Sequence, residues 1–352
     1  MSLKVGIDVT AILNRIPRGI GSYIFELISH MESVNFIKLF KLSRLKYPGR
    51  LKRLKGPGYP FFELNGKAYF MRKFDLFHGT DAYIPNAKFP TVLTVHDVYP
   101  LVKHPESRTA RKLRRALERK PTAIIVISEF AKKELLKFFP EVEAKTYVVY
   151  NGVSEFWERI EARHCLDVKQ KFELDKPFFV YAGETEERKN IENLLEALSI
   201  LNEDVELVIT GGFLKEHQRD LAKKLSVQDR VKELGYVEKY ELKCIYNLAV
   251  ALIFVSLYEG FGLPLLEAMR CGTPVVASDI EVFREIGDDA FVRVTPQSPE
   301  CIKEGMLKVL QDESLREQLV EKGLKNARKF SWSRTAVETA KVYNLALNYG
   351  KS

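Results

Sequence analysis

Residues 251–270 read ALIFVSLYEGFGLPLLEAMR, an apolar run that passes through a glycine loop into a helical pattern. Ala251 to Val255 is short, apolar and uncharged, as a strand covered on both faces must be. Gly260 and Gly262 allow the backbone to approach a ligand closely. Pro264 suits a first helical turn, and the helix running on to Arg270 aims its N-terminus at the loop. Free N–H groups and a helix dipole at that point favour an anion such as a diphosphate. Glu259 stands in the loop and Glu267 in the helix. A carboxylate accepts two hydroxyl hydrogens readily, so Glu267 suits the vicinal hydroxyls of a ribose and Glu259 those of a hexose. A lone Glu is more often a solvated surface residue. Glu267, however, lies between Leu265, Leu266, Ala268 and Met269 on a helix expected to be largely buried, where an unpartnered carboxylate costs roughly several kcal/mol.

Outward from this stretch the same alternation repeats. Strands are expected over Phe178 to Gly183, Val205 to Gly211 and Val231 to Leu234, with helices over Asn190 to Leu201, Glu216 to Leu225 and Lys239 to Asn247 between them. The first half runs likewise: strands at Val5 to Val9, Leu76 to Gly79, Val92 to His96, Ala123 to Ser128 and Thr146 to Tyr150, helices at Ser22 to Met31 and Glu129 to Phe138, the latter capped by Ser128. Alternating strands and helices imply parallel sheets covered on both faces. Two such series in 352 residues imply two doubly wound α/β domains, with ligands at the carboxyl ends of the strands. The boundary is read at residue 165, inside a charged, weakly periodic stretch from Gly152 to about Asp175. That gives domains over 1–165 and 166–330, and a terminal helix over 331–352 read as packing back on the first domain.

The net charge of +8 divides unevenly, +13 in residues 1–165 and −5 in the remainder. A basic half suggests an anionic partner. Its cations concentrate in Lys38, Lys41, Arg44, Lys46, Arg50, Lys52, Arg53 and Lys55, followed by Phe61 and Phe62, and again over Arg108 to Lys120, seven cations against Glu118 alone. They fit either a solvated face or contact with anionic lipid headgroups or a phosphorylated acceptor. The N-terminus reads as a strand rather than a leader, and the apolar runs are all too short to span a bilayer, so a cytoplasmic location, peripheral at the inner face of the membrane, is expected. Cys165, Cys244, Cys271 and Cys301 are scattered singly and read as structural thiols.

The segment YEGFGLPLLEAM with the following CGTPVVASD resembles the donor-site signature of glycosyltransferase family 4, and the resemblance extends over nearly the whole chain through RGIGSY, TVHDVYPL, VISEFAKKEL, VYNGV, GETEERKN and FSW. It implies a GT-B fold, two Rossmann-like domains facing across a cleft, and a retaining hexosyltransferase of the mannosyltransferase-like branch. The N-terminal domain would bind a glycan or lipid-linked acceptor and the C-terminal domain a nucleotide-sugar donor, best read as GDP-mannose. By the same resemblance Arg188 and Lys189 face the donor diphosphate, the backbone of Gly260, Phe261, Gly262 and Leu263 holds phosphate and sugar, Glu259 the sugar hydroxyls and Glu267 the ribose. Gly19 and Gly21 look like the glycine loop lying against the phosphates from the other domain, and His96 like the residue that contacts sugar or acceptor, with Asp97 beside it as orienter or helix cap. The bottom-up reading agrees for Arg188 and Lys189, which follow the turn after a strand, where an α/β domain places its ligand. Where some relatives carry Arg directly after the glycine this chain has Glu184, which leaves the later pair to serve.

His96, Arg188, Lys189 and Glu259 are thus the expected catalytic set. No Asp or Glu stands out as a covalent nucleophile, and the family resemblance implies front-face attack within an ion pair. No Asp-x-Asp suggests a metal clamp, so the expectation is no metal and no cofactor beyond the nucleotide sugar. Two rivals share some of these features. A sugar-nucleotide epimerase of the same architecture would have no need of the family 4 signature. A nucleic-acid-binding protein is disfavoured because aromatic residues do not alternate with the cations, and Gly19-Ile20-Gly21-Ser22-Tyr23-Ile24 lacks the third glycine of a dinucleotide fingerprint.

Overall fold

The computed structural model describes residues 2–13, 19–34, 36–44, 58–64, 67–70 and 73–349. The chain forms two compact units, Met1–Gly152 with Phe330–Ser352, and Val153–Lys329. The chain crosses from the first to the second at Gly152 and Val153 rather than at residue 165, and residues 153–165 belong to the second unit. Arg270 Nε donates to the Trp157 carbonyl at 3.0 Å and Lys243 pairs with Glu158 at 2.8 Å, which ties that stretch down.

Among the described residues the second unit has a parallel sheet of six strands: β9 (Phe178–Ala182), β10 (Glu206–Thr210), β11 (Val231–Gly235), β12 (Ala251–Phe254), β13 (Val275–Ser278) and β14 (Val292–Val294), ordered 11-10-9-12-13-14. The order reverses between β9 and β12, where Val180 pairs with Leu252, which makes the carboxyl ends of these two strands the switch point of the sheet. Every residue of β9, β12 and β13 is buried, which explains why their sequences run apolar without alternation.

The first unit carries β1 (Leu3–Asp8), β2 (Ile37–Arg44), β3 (Gly58–Leu64), β4 (Lys67–Phe70), β5 (Leu76–Gly79), β6 (Thr91–Val95), β7 (Ala123–Val126) and β8 (Thr146–Val148), ordered 4-3-2-1-5-6-7-8, with only β3 and β4 antiparallel among the described pairs. The reversal lies between β1 and β5. On one face the helix Gly19–Met31 packs Tyr23, Ile24, Leu27 and Met31 against the helix Trp332–Asn348, which contributes Trp332, Ala336, Ala340 and Tyr343 to the same core. That last helix starts where Ser331 accepts the Arg334 N–H, and Thr335 Oγ1 donates to the Tyr150 carbonyl at 2.7 Å. Gly152 sits so close that a Cβ there would lie 2.1 Å from the Trp332 nitrogen.

The basic segments resolve unevenly. Lys41 is buried and paired with Glu32 at 2.8 Å, so it belongs neither to a solvated face nor to a surface for anionic lipid or a phosphorylated acceptor. Lys46, Arg50, Lys52, Arg53 and Lys55 lie outside the described residues. In the helix Arg108–Glu118, Ala110, Leu113, Ala116 and Leu117 are buried, while Arg108, Arg111, Arg114 and Arg115 are exposed. Lys112 is held by Asp81 at 2.7 Å, and Arg119 donates to the Ile84 carbonyl. Among the described residues no helix is long and apolar enough to cross a membrane.

Candidate functional site

The turn Glu187–Lys189 leaves β9 and ends on Asn190, which takes a left-handed conformation at φ 62°, one that Asn tolerates better than most side chains. The Asn190 amide donates to the carbonyls of Val255 at 3.0 Å and Pro296 at 2.6 Å. Leu257 N–H in turn donates to the Arg188 carbonyl at 2.7 Å. The loops after β9 and β12 are therefore clamped to each other at the switch point, and three functional side chains converge there.

The Glu259 carboxylate accepts from Lys189 Nζ, from Arg188 Nη1 at 3.0 Å and from Ser256 Oγ at 2.9 Å. Glu259 and Lys189 are each 8% exposed. Burial alone would raise the Glu259 carboxyl; the charges of Lys189 and Arg188, with the hydrogen bonds from Lys189 and Ser256, outweigh it and hold the group below the usual carboxylate range. Arg188 also reaches Glu186 at 3.1 Å, but that carboxylate is half exposed and screened by water. Lys189 lies 5.3 Å from the centre of the Phe254 ring. Within the buried part of the cluster two cations share one carboxylate.

Gly262 begins the helix Leu263–Arg270 at φ 108°, and a Cβ there would lie 2.8 Å from the Phe283 ring, so both backbone and space require glycine. Gly260 and Phe261 beside it are buried and Leu263 is half-buried. Glu267 differs from its expected burial. Leu265, Leu266, Ala268 and Met269 point to the core, whereas Glu267 falls with Leu263, Pro264 and Arg270 on a half-exposed stripe, as the 3.6-residue period requires. It is close enough to Tyr246 that its charge, after burial, pushes the phenol pKa up.

In the first unit Gly19 and Gly21 form the first turn of a helix rather than a loop. A Cβ at Gly19 would meet nothing within 4 Å, so packing does not demand glycine there. His96 directly follows β6. Its Nε2 lies 2.9 Å from the Thr80 carbonyl, which can only accept, so Nε2 carries the proton and Nδ1 is left as the acceptor. Burial pushes its pKa down, opposed by that carbonyl and by Asp81 and Asp97, and the ring is neutral near pH 7. The Tyr23 ring meets it edge-on at 4.8 Å. Asp97 accepts the Tyr99 N–H at 3.0 Å, a turn-capping role at the helix Tyr99–Lys103.

Asn190, Ser256, Thr80 and Tyr23 escaped the sequence reading as site residues. Asn directly after two cations and before an apolar helix is a signal of a left-handed turn, and Ser256 stands at the carboxyl end of a buried strand. Among the described residues no group of three or more His, Cys, Asp or Glu side chains is arranged to hold a metal ion.

Two doubly wound sheets, one with a cation and carboxylate cluster at its switch point, are the architecture of the GT-B class. Residues 6–155 match Glycosyltransferase Family 4 and residues 165–326 match glycosyl transferases group 1. O-antigen chain mannosyltransferase B of Escherichia coli is 28% identical over 93% of this chain and 96% of its own length. An uncharacterized glycosyltransferase of Methanocaldococcus jannaschii is 34% identical over 64% of this chain and 60% of its own. Among solved structures, the Anabaena protein HepE in complex with UDP and glucose superposes with a TM-score of 0.78 at 16% identity, over 97% of this chain and 99% of that one. The chain belongs to glycosyltransferase family 4 and is a glycosyltransferase.

Proposed function

We infer that the chain moves a hexosyl group, best read as mannosyl from GDP-mannose, onto a glycan or lipid-linked acceptor with retention of configuration. The observation that carries the donor half is the cluster of Lys189, Arg188, Ser256 and Glu259. As the bond between sugar and diphosphate breaks, negative charge grows on the leaving oxygen, and two cations already held in place meet it without reorganisation. Together with the N-terminus of the helix after Gly262 they supply the charge that a divalent ion would supply elsewhere, which makes the reaction metal-independent and cofactor-free. When the phosphates engage the cations, Glu259 turns to the sugar hydroxyls and Glu267 takes the ribose; the backbone of Gly260 to Leu263 lines the phosphate. His96, neutral, offers Nδ1 to a sugar or acceptor hydroxyl, and Gly19 and Gly21, in the first turn of their helix, lie against the donor phosphates.

The mannosyl assignment leans on relatives named as O-antigen mannosyltransferases. A nucleotide-sugar donor is supported by solved neighbours holding UDP or UDP-glucose. Thermal shift against GDP-mannose, UDP-glucose and ADP-glucose tests the donor, since a ligand that binds only the folded state raises its stability. A shift with GDP-mannose, turnover that survives EDTA and a product of unchanged anomeric configuration are expected. No shift with any nucleotide sugar rejects the donor site, a shift with UDP-glucose alone replaces the mannosyl reading, and loss of turnover in EDTA rejects metal independence.

The exposed Arg108, Arg111, Arg114 and Arg115 suit reversible contact with an anionic membrane, where each cation contributes about 1 kcal/mol. Co-sedimentation with phosphatidylglycerol vesicles at low and high salt, for the wild type and for a variant with all four changed to Gln, checks this. Wild type that ignores the vesicles at low salt sinks it.

A further inference from the structure

Beneath His96 a chain of buried polar groups crosses the first unit. Tyr343 Oη lies 2.8 Å from His78 Nδ1, His78 Nε2 lies 2.7 Å from Thr94 Oγ1, and Thr94 Oγ1 shares a hydrogen bond with Tyr23 Oη at 3.1 Å. These groups come from four different elements: the helix Trp332–Asn348, β5, β6 and the helix Gly19–Met31. Tyr343, His78 and Thr94 are fully buried and Tyr23 is 1% exposed. The far end of Tyr23 is its ring, set edge-on against His96, and Trp332 packs on the same ring with centroids 5.9 Å apart. The helix Trp332–Asn348 thus bears on His96 twice, through Trp332 directly on Tyr23 and through Tyr343 by way of the hydrogen bonds.

The arrangement is more constrained than a set of satisfied core residues needs to be. Burial pushes the His78 pKa down to about 3, so the ring is neutral and has one N–H and one bare nitrogen. With a hydroxyl on each side, the ring's N–H meets one oxygen and its bare nitrogen takes the proton of the other, so the groups depend on one another and removing one leaves a buried donor or acceptor unmet, the costly outcome. Such a chain fixes the Tyr23 ring from its hydroxyl end. Among the described residues His96 has one hydrogen bond, to the Thr80 carbonyl, and packs against that ring, so the ring bears on whether the imidazole can turn over and present the other nitrogen.

We propose that Tyr343, His78, Thr94 and Tyr23 form a positioning relay that holds His96 with Nδ1 presented, making the C-terminal helix a working part of the first unit's site. The catalytic consequence rests on the role given to His96 above; the structural one does not. A mismatch at this distance from the chemistry is felt through placement of the ring and not through contact with substrate.

The test uses the full chain. Thr94→Val keeps the shape and removes the central hydroxyl, Thr94→Ser restores a hydroxyl, and Tyr343→Phe removes the distal one, with His96→Ala to assign its resonance among the six histidines. With 15N-labelled imidazoles, wild-type His96 should show one tautomer, Nε2 protonated. Thr94→Val and Tyr343→Phe should show mixed or broadened signals, and Thr94→Ser should return to the wild-type pattern. Turnover is measured with whichever nucleotide sugar shifts the melting temperature, well below the melting of every variant. Thr94→Val and Tyr343→Phe should lose about tenfold to a hundredfold in kcat, with donor KM changed less than about twofold and Thr94→Ser near wild type. An unchanged His96 tautomer and line width in both Thr94→Val and Tyr343→Phe overturns the relay whatever the donor is. A changed tautomer with unchanged kcat overturns its bearing on the reaction. If His96→Ala keeps full turnover, the assignment of His96 fails, and if no nucleotide sugar binds, the proposed donor fails; in either case the tautomer measurement still decides the relay.

Discussion

The switch points of the two sheets are built from opposite materials. In the second unit two cations, the buried Lys189 and the half-buried Arg188, meet the buried carboxylate of Glu259. In the first unit one carboxyl, Asp8, lies buried at the end of β1 and the charges of Asp81 and Asp97 act on His96, but the groups packed behind that ring are neutral: the Thr80 carbonyl, and below it the hydroxyls and imidazole of Tyr343, His78, Thr94 and Tyr23. Buried charge is costly unless it is paired, so a chain keeps it where a charged ligand will use it. Buried neutral hydrogen bonds contribute orientation instead. On the function proposed above, one architecture repeated twice is specialised, one copy for attracting an anion and the other for aiming a ring.

The strongest way to break this contrast is to remove the charge. Lys189→Ala should cost about 2 to 4 kcal/mol in the chemical step, read from kcat, with a smaller loss in donor binding, because the leaving group's charge is greatest in the transition state. Arg188→Ala should act in the same direction. Near-wild-type turnover in both single variants would remove the leaving-group role and leave the cluster as a structural ion triad. Gly262→Ala probes the same unit through its backbone: a left-handed Cβ against the Phe283 ring should lower stability by about 2 to 3 kcal/mol in urea unfolding. An unchanged midpoint would mean that the loop relaxes freely.

Acid should separate the two units. Both His78 and Glu259 have folded pKa values below their unfolded ones, so each contributes stability that is present above the unfolded value and lost as pH falls toward the folded one. For His78 the window runs from about 6.5 down to about 3, for Glu259 it opens only below about 4.3. Between pH 6.5 and 5 the wild type should lose roughly 2 kcal/mol, centred on the first unit, and His78→Gln should flatten that loss while being less stable at neutral pH. Hydrogen exchange followed across this range tests it, and equal loosening of both units would contradict the contrast. The smallest effect is expected at Glu267→Ala, where removing one hydrogen-bonded ribose contact should weaken nucleotide binding by about 1 kcal/mol in calorimetry. Unchanged affinity would mean that Glu267 does not hold the ribose.

Much of the second unit was legible in the chain because its strands are buried on both faces and its helices are strongly periodic. β9, β12 and the helix Lys239–Leu248 lie within a residue of the expected ends. Arg188, Lys189 and Glu259 could be singled out because both loops follow strands, but that they touch depends on β9 and β12 being neighbours, which strand order decides and local sequence does not. β2 was hidden because Lys38, Lys41 and Arg44 interrupt its alternation; the pairing with its neighbour strands and the Glu32 ion pair help to make Lys41 acceptable inside. The relay was hidden for a related reason. His78, Thr94 and Tyr343 are ordinary residues in their own elements, and each becomes meaningful only when the others supply its partner from as far as 265 positions away.

The first unit is discontinuous, and this has a consequence for its synthesis. The second unit is one unbroken segment, Val153–Lys329, and can complete its core as soon as that segment has left the ribosome. The first unit cannot. Its sheet is made early, yet Trp332, Ala336, Ala340 and Tyr343 arrive only after the whole second unit, and until then Tyr23, Ile24 and Leu27 lack the helix that covers them. A chain broken off before residue 330 would therefore carry a finished charged cluster and an unfinished first unit, and would expose a greasy face that quality-control proteases can recognise.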